Sequence, residues 1–306
     1  MTRIIAGLAS AALFWNAGLV VQAAEEAKPE AVTKAPAPAA DPKNTERPGW
    51  KLVWHDEFDT DGPPDPKKWG YDTGWVRNGE QQYYTEGRSE NVRVEKGNLV
   101  LEARKEHFAN PKFEKDAKGD WNKTKPFADI TSGELTTQNT VSWTYGRIEV
   151  RAKIPTGRGT WPAIWMLGTN INQAGWPKCG EIDILENVGF DPDGVHTTVH
   201  TDAYNHVKGT AKGHREDGKK PYDDFHVYAI EWTKKEITFF YDEKKVFAFE
   251  NDGKGDVATW PYDKPQFLIL NFAIGGGWGG AKGVDDSILP QKFLIDYVRV
   301  YEDAKK

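Results

Sequence analysis

Between Trp50 and Tyr301 the chain repeatedly alternates apolar and polar residues, the periodicity of a β-strand with one buried face. The clearest case is the segment 145–154. Its charged residues share one face and its apolar residues share the other: Arg147, Glu149, Arg151 and Lys153 against Ile148, Val150, Ala152 and Ile154. No stretch has the period of an amphipathic helix, and turn residues separate the strands at short intervals. The chain is therefore predicted to be an all-β sandwich whose strands have one core face and one polar face.

Length and composition restrict the class of protein further. The chain has 306 residues, and a single all-β domain can reach roughly 200–250 residues. The 13 Trp, 11 Tyr and 14 Phe suit core packing and also stacking against sugar rings. A formal net charge of −6 argues against a nucleic-acid partner and against a basic membrane-binding face. Residues 105–130 are charged and punctuated by Gly, Asn and Pro, which predicts a surface loop.

The first 48 residues differ in composition from the rest of the chain. Residues 1–23 read as a secretory signal peptide, with a basic start at Arg3, an apolar stretch and small residues at the end. The alternative is a membrane anchor, which Ser10 and Asn16 weaken. Residues 24–48 are rich in Ala and Pro and read as a disordered linker. The folded domain is expected at 49–303, in a secreted, periplasmic or cell-surface protein with no membrane span once the signal is cleaved.

Cys179 is the only cysteine, so no internal disulfide is possible. It precedes an acid-rich segment, where a thiol nucleophile would be conceivable. No base is evident for it, and a small buried residue is the preferred interpretation.

The acid-rich segment 180–187 reads as a strand. Glu181 and Asp183 share a face, whereas Glu186 would point the opposite way in a regular strand. One extra residue in a β-bulge would turn Glu186 onto the same face. Crowded carboxyl groups repel, so one keeps a proton while another is ionised, as a retaining glycosidase requires. An acidic, solvent-exposed edge strand is the alternative, and the nearby tryptophans favour the reactive site.

The pattern Glu-x-Asp-x-x-Glu, preceded by Trp-Pro-x-Cys-Gly, resembles glycoside hydrolase family 16, in its laminarinase-like branch. The licheninase branch has one residue fewer between the acids. The resemblance runs from about Trp54 to Tyr301. It implies a concanavalin-like jelly roll with a concave substrate cleft, with Glu181 as nucleophile, Glu186 as acid/base and Asp183 between them.

The activity that this resemblance implies is that of a secreted, monomeric, retaining endo-β-glucanase acting on β-1,3-glucan by double displacement. Two alternatives remain open at the level of sequence. One is a licheninase-type hydrolase of mixed-linkage β-1,3-1,4-glucan. The other is a noncatalytic, lectin-like β-glucan-binding protein, which would keep the aromatic residues and lose the acids.

Several residues outside the acid strand are candidate substrate contacts. Trp161 and Trp165 fall on one face of a strand just before the acids, and Trp176 lies between that strand and the acids. His200 lies on the following strand, where an antiparallel neighbour would place it near the carboxylates. Metal binding by His196 together with His200 is the weaker interpretation, because no further ligand set is evident.

The remaining candidates lie at both ends of the domain. The resemblance suggests Asn78 and Arg88 as sugar contacts, since the block 78–85 matches the family pattern Asn-x-Glu-x-Gln-Tyr-Tyr-Thr. Asn271 is a polar residue in an apolar strand and needs a partner. Trp278 lies in the glycine-rich segment 275–280, which reads as a flexible rim with an exposed indole.

No cofactor is expected for catalysis. The resemblance implies a structural calcium ion on the convex side, held by Glu57, the backbone of Gly97 and Asp296. Oxygen ligands of this kind suit calcium, whose role would be stability.

Overall fold

The computed structural model describes residues 44–305. Alternation of apolar and polar residues produces strands through most of this range. The strands are β1 Trp50–Asp56, β2 Gly70–Tyr71, β3 Tyr83–Tyr84, β4 Val92–Glu95, β5 Asn98–Ala109, β6 Phe127–Ser132, β7 Glu134–Thr136, β8 Gly146–Lys153, β9 Thr160–Gly168, β10 Glu181–Val188, β11 Asp191–His200, β12 Lys212–Asp217, β13 His226–Trp232, β14 Glu236–Tyr241, β15 Lys244–Glu250, β16 Gln266–Ile274 and β17 Gln291–Asp303. The helices are short: α1 Trp121–Thr124, α2 Ile171–Ala174 and a 3₁₀ turn at Asp286–Ile288.

The strands form two sheets. The ten-stranded sheet has the order β15-β14-β13-β8-β17-β5-β6-β3, with β1 beside β17 and β4 beside β5. The seven-stranded sheet has the order β12-β11-β10-β9-β16-β7-β2. Every named pairing is antiparallel except that of β3 with β6. The acid strand β10 therefore lies inside the smaller sheet, between β9 and β11.

The core lies between the two sheets and explains why the strands alternate. Ile148 and Val150 of β8 meet Ile164 and Met166 of β9 in one large cluster. A second, smaller cluster lies on the other face of the seven-stranded sheet and contains Ala163, Trp165, Phe267 and Ile269. The prediction of an all-β sandwich is confirmed, and the second cluster identifies the outer face of the small sheet as an unusual, partly apolar surface.

Two features of the larger sheet differ from the sequence prediction. Residues 105–130 are not one loop, because β5 continues to Ala109 and β6 begins at Phe127. The polar face of β8 is also more covered than its charged residues alone would indicate, since Arg147 and Glu149 are buried. Arg47, from the end of the predicted linker, approaches the Glu149 carboxylate at 2.5 Å. Ion pairing of this kind lets charged residues occupy a covered face, which alternation alone does not indicate.

The predicted signal peptide at 1–23 and most of the predicted linker lie outside the described residues. Residues 44–48 of that linker are described, and Arg47 also contacts Glu243 at 2.5 Å. Arg47 therefore contacts the folded domain from within the predicted linker. Within residues 44–305, no helix is long and apolar enough to span a membrane.

Candidate active site

A bulge in β10 turns all three acids to the outer face of the seven-stranded sheet. Asp183 pairs with Trp165 of β9, and Glu186 pairs with Ala163, so three steps along β10 match two steps along β9. Ile184 and Leu185 lie within the bulge and are both buried in the core. The predicted bulge is confirmed, and its two apolar side chains hold it in place.

Burial and mutual repulsion raise the pKa of all three carboxyl groups. Burial raises the pKa of Glu181 to about 8, with added repulsion from Asp183. Burial also raises the pKa of Glu186 to about 7, with added repulsion from Glu181. The pKa of Asp183 lies well above its usual range, from burial first and from the charge of Glu186 second. Near neutral pH the three groups therefore hold at least one proton between them.

Of the three carboxyl groups, Asp183 is the one most readily protonated. Its side chain is 3% exposed, against 15% for Glu181, so ionising Asp183 loses the most hydration. The carboxyl groups of Asp183 and Glu181 share a hydrogen bond. With the proton on Asp183, the repulsion that adds to the effect of burial on Glu181 disappears, which favours the ionised form of Glu181.

Three neighbouring side chains favour the charged forms of Glu181 and Glu186. The Trp176 indole N–H donates to Oε2 of Glu181 at 2.6 Å. The Trp161 indole N–H donates to Oε1 of Glu186 at 3.0 Å. Nε2 of His200 lies 3.4 Å from Oδ2 of Asp183 and 3.7 Å from Oε1 of Glu181. The predicted position of His200 beside the carboxylates is confirmed, because His200 pairs directly with Glu181 across β10 and β11.

A chain of buried polar groups continues from the acids across the floor of the cleft. The Trp165 indole N–H donates to Asn271 at 2.7 Å, and Asn271 donates to the Tyr84 hydroxyl at 3.0 Å. The hydroxyl donates to Glu80 at 3.3 Å, and Asn78 donates to the same carboxylate at 3.1 Å. Asn271 thus has the partners that its place in an apolar strand requires. Trp165 is buried in the floor and does not form a free wall.

Trp278 is half-buried, and the prediction of an exposed indole on a flexible rim is wrong. Its ring meets Trp161 edge to face at 5.7 Å and His196 at 4.9 Å. A Cβ on Gly279 would lie 2.8 Å from Cβ of Trp161. The rim can pack this closely because glycine has no side chain. His196 pairs with Asp191 at 3.1 Å, so the two histidines of β11 serve different neighbours.

Arg88 is not brought to the acids. Its guanidinium pairs with Glu106 of β5 and donates to Asn91 at 3.1 Å, on the ten-stranded sheet. The arginine on the cleft floor is Arg77, which pairs with Glu134 through two hydrogen bonds of 2.7 and 2.6 Å. The sequence places Arg77 next to Asn78 in the same polar turn. Its position beside Asn78 was the only sequence feature that could have identified Arg77 as a site residue, because its partner Glu134 lies 57 residues away.

His206 is a second residue that the sequence analysis did not find. Its ring lies 5.0 Å from the Trp176 ring and 5.2 Å from the His200 ring. It stands in an irregular segment after β11, where no periodicity marks one face. The three rings form one wall beside Glu181.

In the corner of the large sheet suggested for calcium, the carboxylates of Glu57 and Asp296 have other partners. Both oxygens of Glu57 accept hydrogen bonds from Arg299, at 2.9 and 2.7 Å. Asp296 accepts from Arg151 at 2.7 Å. Oxygen ligands suit calcium, yet two guanidinium groups repel a cation, so this corner is not a preformed calcium site.

Two other chemical possibilities concern the acid strand itself. Ligand atoms of Glu181, Asp183 and His200 lie within 4.8 Å of one another and could hold a cation, although these are the groups that the acid chemistry uses. Cys179 is buried, and burial raises its pKa to about 11, so the thiol is not an activated nucleophile.

Comparison with known proteins gives a consistent result. The sequence profile of glycosyl hydrolases family 16 matches residues 79–299. A β-glucanase from Rhodothermus marinus is 48% identical over 268 residues, which make up 85% of this chain and 87% of that protein. A solved laminarinase from Rhodothermus marinus has a TM-score of 0.74 and 48% identity, covering 83% of this chain and 97% of its own. A solved non-specific endo-β-1,3(4)-glucanase has a TM-score of 0.74 and 49% identity, covering 84% of this chain and 92% of its own.

Proposed function

The chain belongs to glycoside hydrolase family 16, and we propose that it is a retaining endo-β-glucanase that hydrolyses laminarin-type β-1,3-glucan by double displacement. The observation that carries this proposal is the bulged strand, which presents Glu181, Asp183 and Glu186 together on one face. A lectin-like protein would have no use for three crowded, largely covered acids, whose charges cost stability. The laminarinases among its relatives support the substrate.

In the first step, an oxygen of the ionised Glu181 attacks the anomeric carbon, and the glycosidic bond breaks. Glu186 gives its proton to the departing oxygen, and the sugar remains bound to Glu181 as an ester. In the second step, Glu186 takes a proton from water, which attacks the same carbon and releases Glu181. Two inversions give retention. Asp183 holds the proton that keeps Glu181 ionised, and Trp161 fixes the position of Glu186.

Mixed-linkage β-1,3-1,4-glucan is the second candidate substrate. It is favoured by the likeness to a non-specific endo-β-1,3(4)-glucanase at 49% identity. Both substrates would use the same acids. The two linkages differ in which hydroxyl oxygen of the leaving sugar, O3 or O4, carries the bond, whereas the attacked anomeric carbon is the same.

Product analysis on both polymers tests the proposed function. With linear β-1,3-glucan the domain should cleave internal bonds of the polymer from the first minutes, and the products should be short oligosaccharides. If only mixed-linkage glucan were cleaved, the proposed substrate would change to that polymer, and the proposed mechanism would stand. Binding to either polymer without new reducing ends would overturn the proposal in favour of the lectin-like function.

The pH profile of kcat/KM is expected to fall as the pH rises through about 7. The reason is that Glu186 must be protonated in the free enzyme to act as general acid, and its pKa is raised to about 7. The fall on the acidic side reports the ionisation of the coupled Glu181 and Asp183 pair. Initial rates at low substrate concentration between pH 4 and 9 measure both limbs. A profile flat between pH 6 and 9 would contradict the role of Glu186.

A calcium ion at the convex corner is a separate proposal, with a role in stability alone. Because Arg299 and Arg151 would have to release Glu57 and Asp296, binding should be weak. We expect millimolar calcium to raise Tm by a few degrees over a sample in EDTA. This corresponds to roughly 1 kcal/mol. Equal Tm values in calcium and in EDTA would contradict the proposal of a calcium site.

We also propose that the protein is exported and acts as a monomer on polysaccharide outside the cytoplasm. The basic start, apolar stretch and small residues of positions 1–23 support export. Sequencing the N-terminus of the protein from the medium or periplasm tests it, since a start near residue 24 is expected. An uncleaved chain in the cytoplasm would contradict it.

A further inference from the structure

We propose that Arg77 and Glu134 form a distal sugar-binding position in the cleft, which accepts an uncharged sugar unit and disfavours an anionic one. This inference rests on the proposed β-glucanase function. It concerns the part of the substrate that lies away from the bond being cleaved.

The position of the pair follows from the register of four strands. Glu186 pairs with Ala163, Ala163 with Asn271, and Asn271 with Glu134. Directly paired residues point to the same face of a sheet, so Glu134 shares the outer face with the acids. Three strand spacings separate Glu134 from Glu186, a distance of roughly 14 Å. A polysaccharide lying across the strands would reach the pair several sugar units from the reacting bond.

The pair is rigidly built. Glu134 is fully buried, and both of its carboxylate oxygens accept from Arg77. The centre of the guanidinium lies 5.0 Å from the centre of the Trp165 ring, so the indole covers one of its faces. The Arg77 side chain nevertheless stays 21% exposed. The two hydrogen bonds to Glu134 and the Trp165 ring therefore hold this partly exposed side chain in one orientation on the floor.

The donor count indicates what this exposed group can bind. A guanidinium has five N–H donors, and Glu134 engages two of them. The remaining donors suit the hydroxyl oxygens of a sugar. Because the charge is already paired, the hydrogen bonds carry no demand for an anionic partner.

The surrounding charges work against an anionic sugar. Asp72 lies 3.6 Å from the Arg77 guanidinium, so two carboxylates face one cation. The buried carboxyl of Glu80 is a third acid nearby on the same floor. Burial raises the pKa of Glu134 to about 8, but only the ionised carboxylate accepts both hydrogen bonds of the pair. A sulfate or carboxylate on the sugar would meet repulsion without a free cation to offset it.

The first test compares Arg77→Gln with the wild type on β-1,3-gluco-oligosaccharides of increasing length. Longer oligosaccharides should lose about tenfold in kcat/KM, mainly through KM, since a hydrogen bond to a charged donor is lost. Oligosaccharides too short to reach Arg77 should be unaffected. Arg93→Gln is the matched control, because Arg93 is equally exposed at 21% and pairs with the buried Glu102 on the other sheet. An equal loss at every length would overturn the proposal.

The second test changes the charge balance. Glu134→Gln removes the carboxylate that is hydrogen-bonded to Arg77 and leaves only Asp72, at 3.6 Å, beside the guanidinium, so activity on carboxymethylated β-1,3-glucan should rise about five- to tenfold relative to neutral glucan. The double variant Arg77→Gln with Glu134→Gln should return that ratio toward the wild-type value. Melting curves identify variants that fail to fold, and the double variant then supplies the comparison without an unpaired buried charge.

The outcomes separate this inference from the proposed function. Wild-type protein that cleaves β-1,3-glucan, with variants whose length profile and charge preference are unchanged, would overturn only the distal position. Wild-type protein inactive on every β-glucan would overturn the proposed function itself.

Discussion

Glu181→Gln is expected to lower turnover of β-1,3-glucan by about 10⁴-fold or more, the scale seen when a covalent nucleophile is removed. The amide cannot form the glycosyl ester, whereas the shape of the side chain and the floor of the cleft remain. Polysaccharide binding should therefore persist. Reducing-end release over long incubations, together with a pull-down on insoluble glucan, measures the two properties separately.

The matched control for this variant is Glu216→Gln. The Glu216 side chain is 18% exposed, close to the 15% of Glu181, but it pairs with Lys244 away from the acid strand. It should keep wild-type turnover. Normal activity in Glu181→Gln, with retained product stereochemistry, would sink the assignment of the nucleophile.

The same variant should also change how stability depends on pH. In the folded state the adjacent carboxyl groups of Glu181 and Asp183 together hold a proton that the unfolded chain releases near pH 4.5, so wild-type stability falls as the pH rises from about 4.5 to about 8. Glu181→Gln removes one carboxyl group and its repulsion from the cluster, so this loss should become smaller. The variant should be more stable than the wild type at pH 8, on the order of 2 kcal/mol, and equally stable at pH 4.

Glu186→Gln is expected to cost about 10²–10⁴-fold in kcat/KM on polysaccharide, because the departing sugar oxygen no longer receives a proton. The loss should be much smaller with an aryl glycoside whose leaving group needs no proton. The pH dependence above about 7 should also disappear, since the titrating group is gone.

Added azide provides the decisive measurement for this second variant. A small anionic nucleophile can release the sugar from Glu181 without a general base, so azide should restore aryl glycoside turnover and give a β-glycosyl azide. An α-azide product would instead point to attack without the ester intermediate. Equal losses on polysaccharide and on the activated glycoside would contradict Glu186 as the acid/base.

The sequence predicted the central part of the site because that part is local. Glu181, Asp183 and Glu186 lie within six residues, and the alternation of strand side chains determines which faces they share. His200 was predictable for a related reason, since adjacent strands in sequence commonly pair in a sheet. The family resemblance supplied the roles of these residues, which periodicity alone does not contain.

The sequence failed where contacts join distant segments. Arg77 and Glu134 are 57 residues apart, and their pairing depends on how β7 packs beside β16. The burial of Arg147 and Glu149 could not be predicted, because alternation does not reveal that Arg47 approaches Glu149. Trp278 looked free because glycines flank it, although those glycines allow the rim to pack closely against Trp161. In each case tertiary packing overrode the local pattern.

The bulge in β10 also has a consequence for insertions and deletions. Removing Ile184 would shift Glu186 to the next position along a regular strand, two residues after Asp183, and all three acids would still share one face. The spacing Glu-x-Asp-x-Glu of the licheninase branch corresponds to that shorter strand. The strand can thus be shortened by one residue here without turning a catalytic carboxylate to the opposite face of the sheet. The deletion would remove the bulge and the local bend that a bulge gives its strand, and we expect the path of a glucan chain over this strand to change with it while the chemistry is preserved.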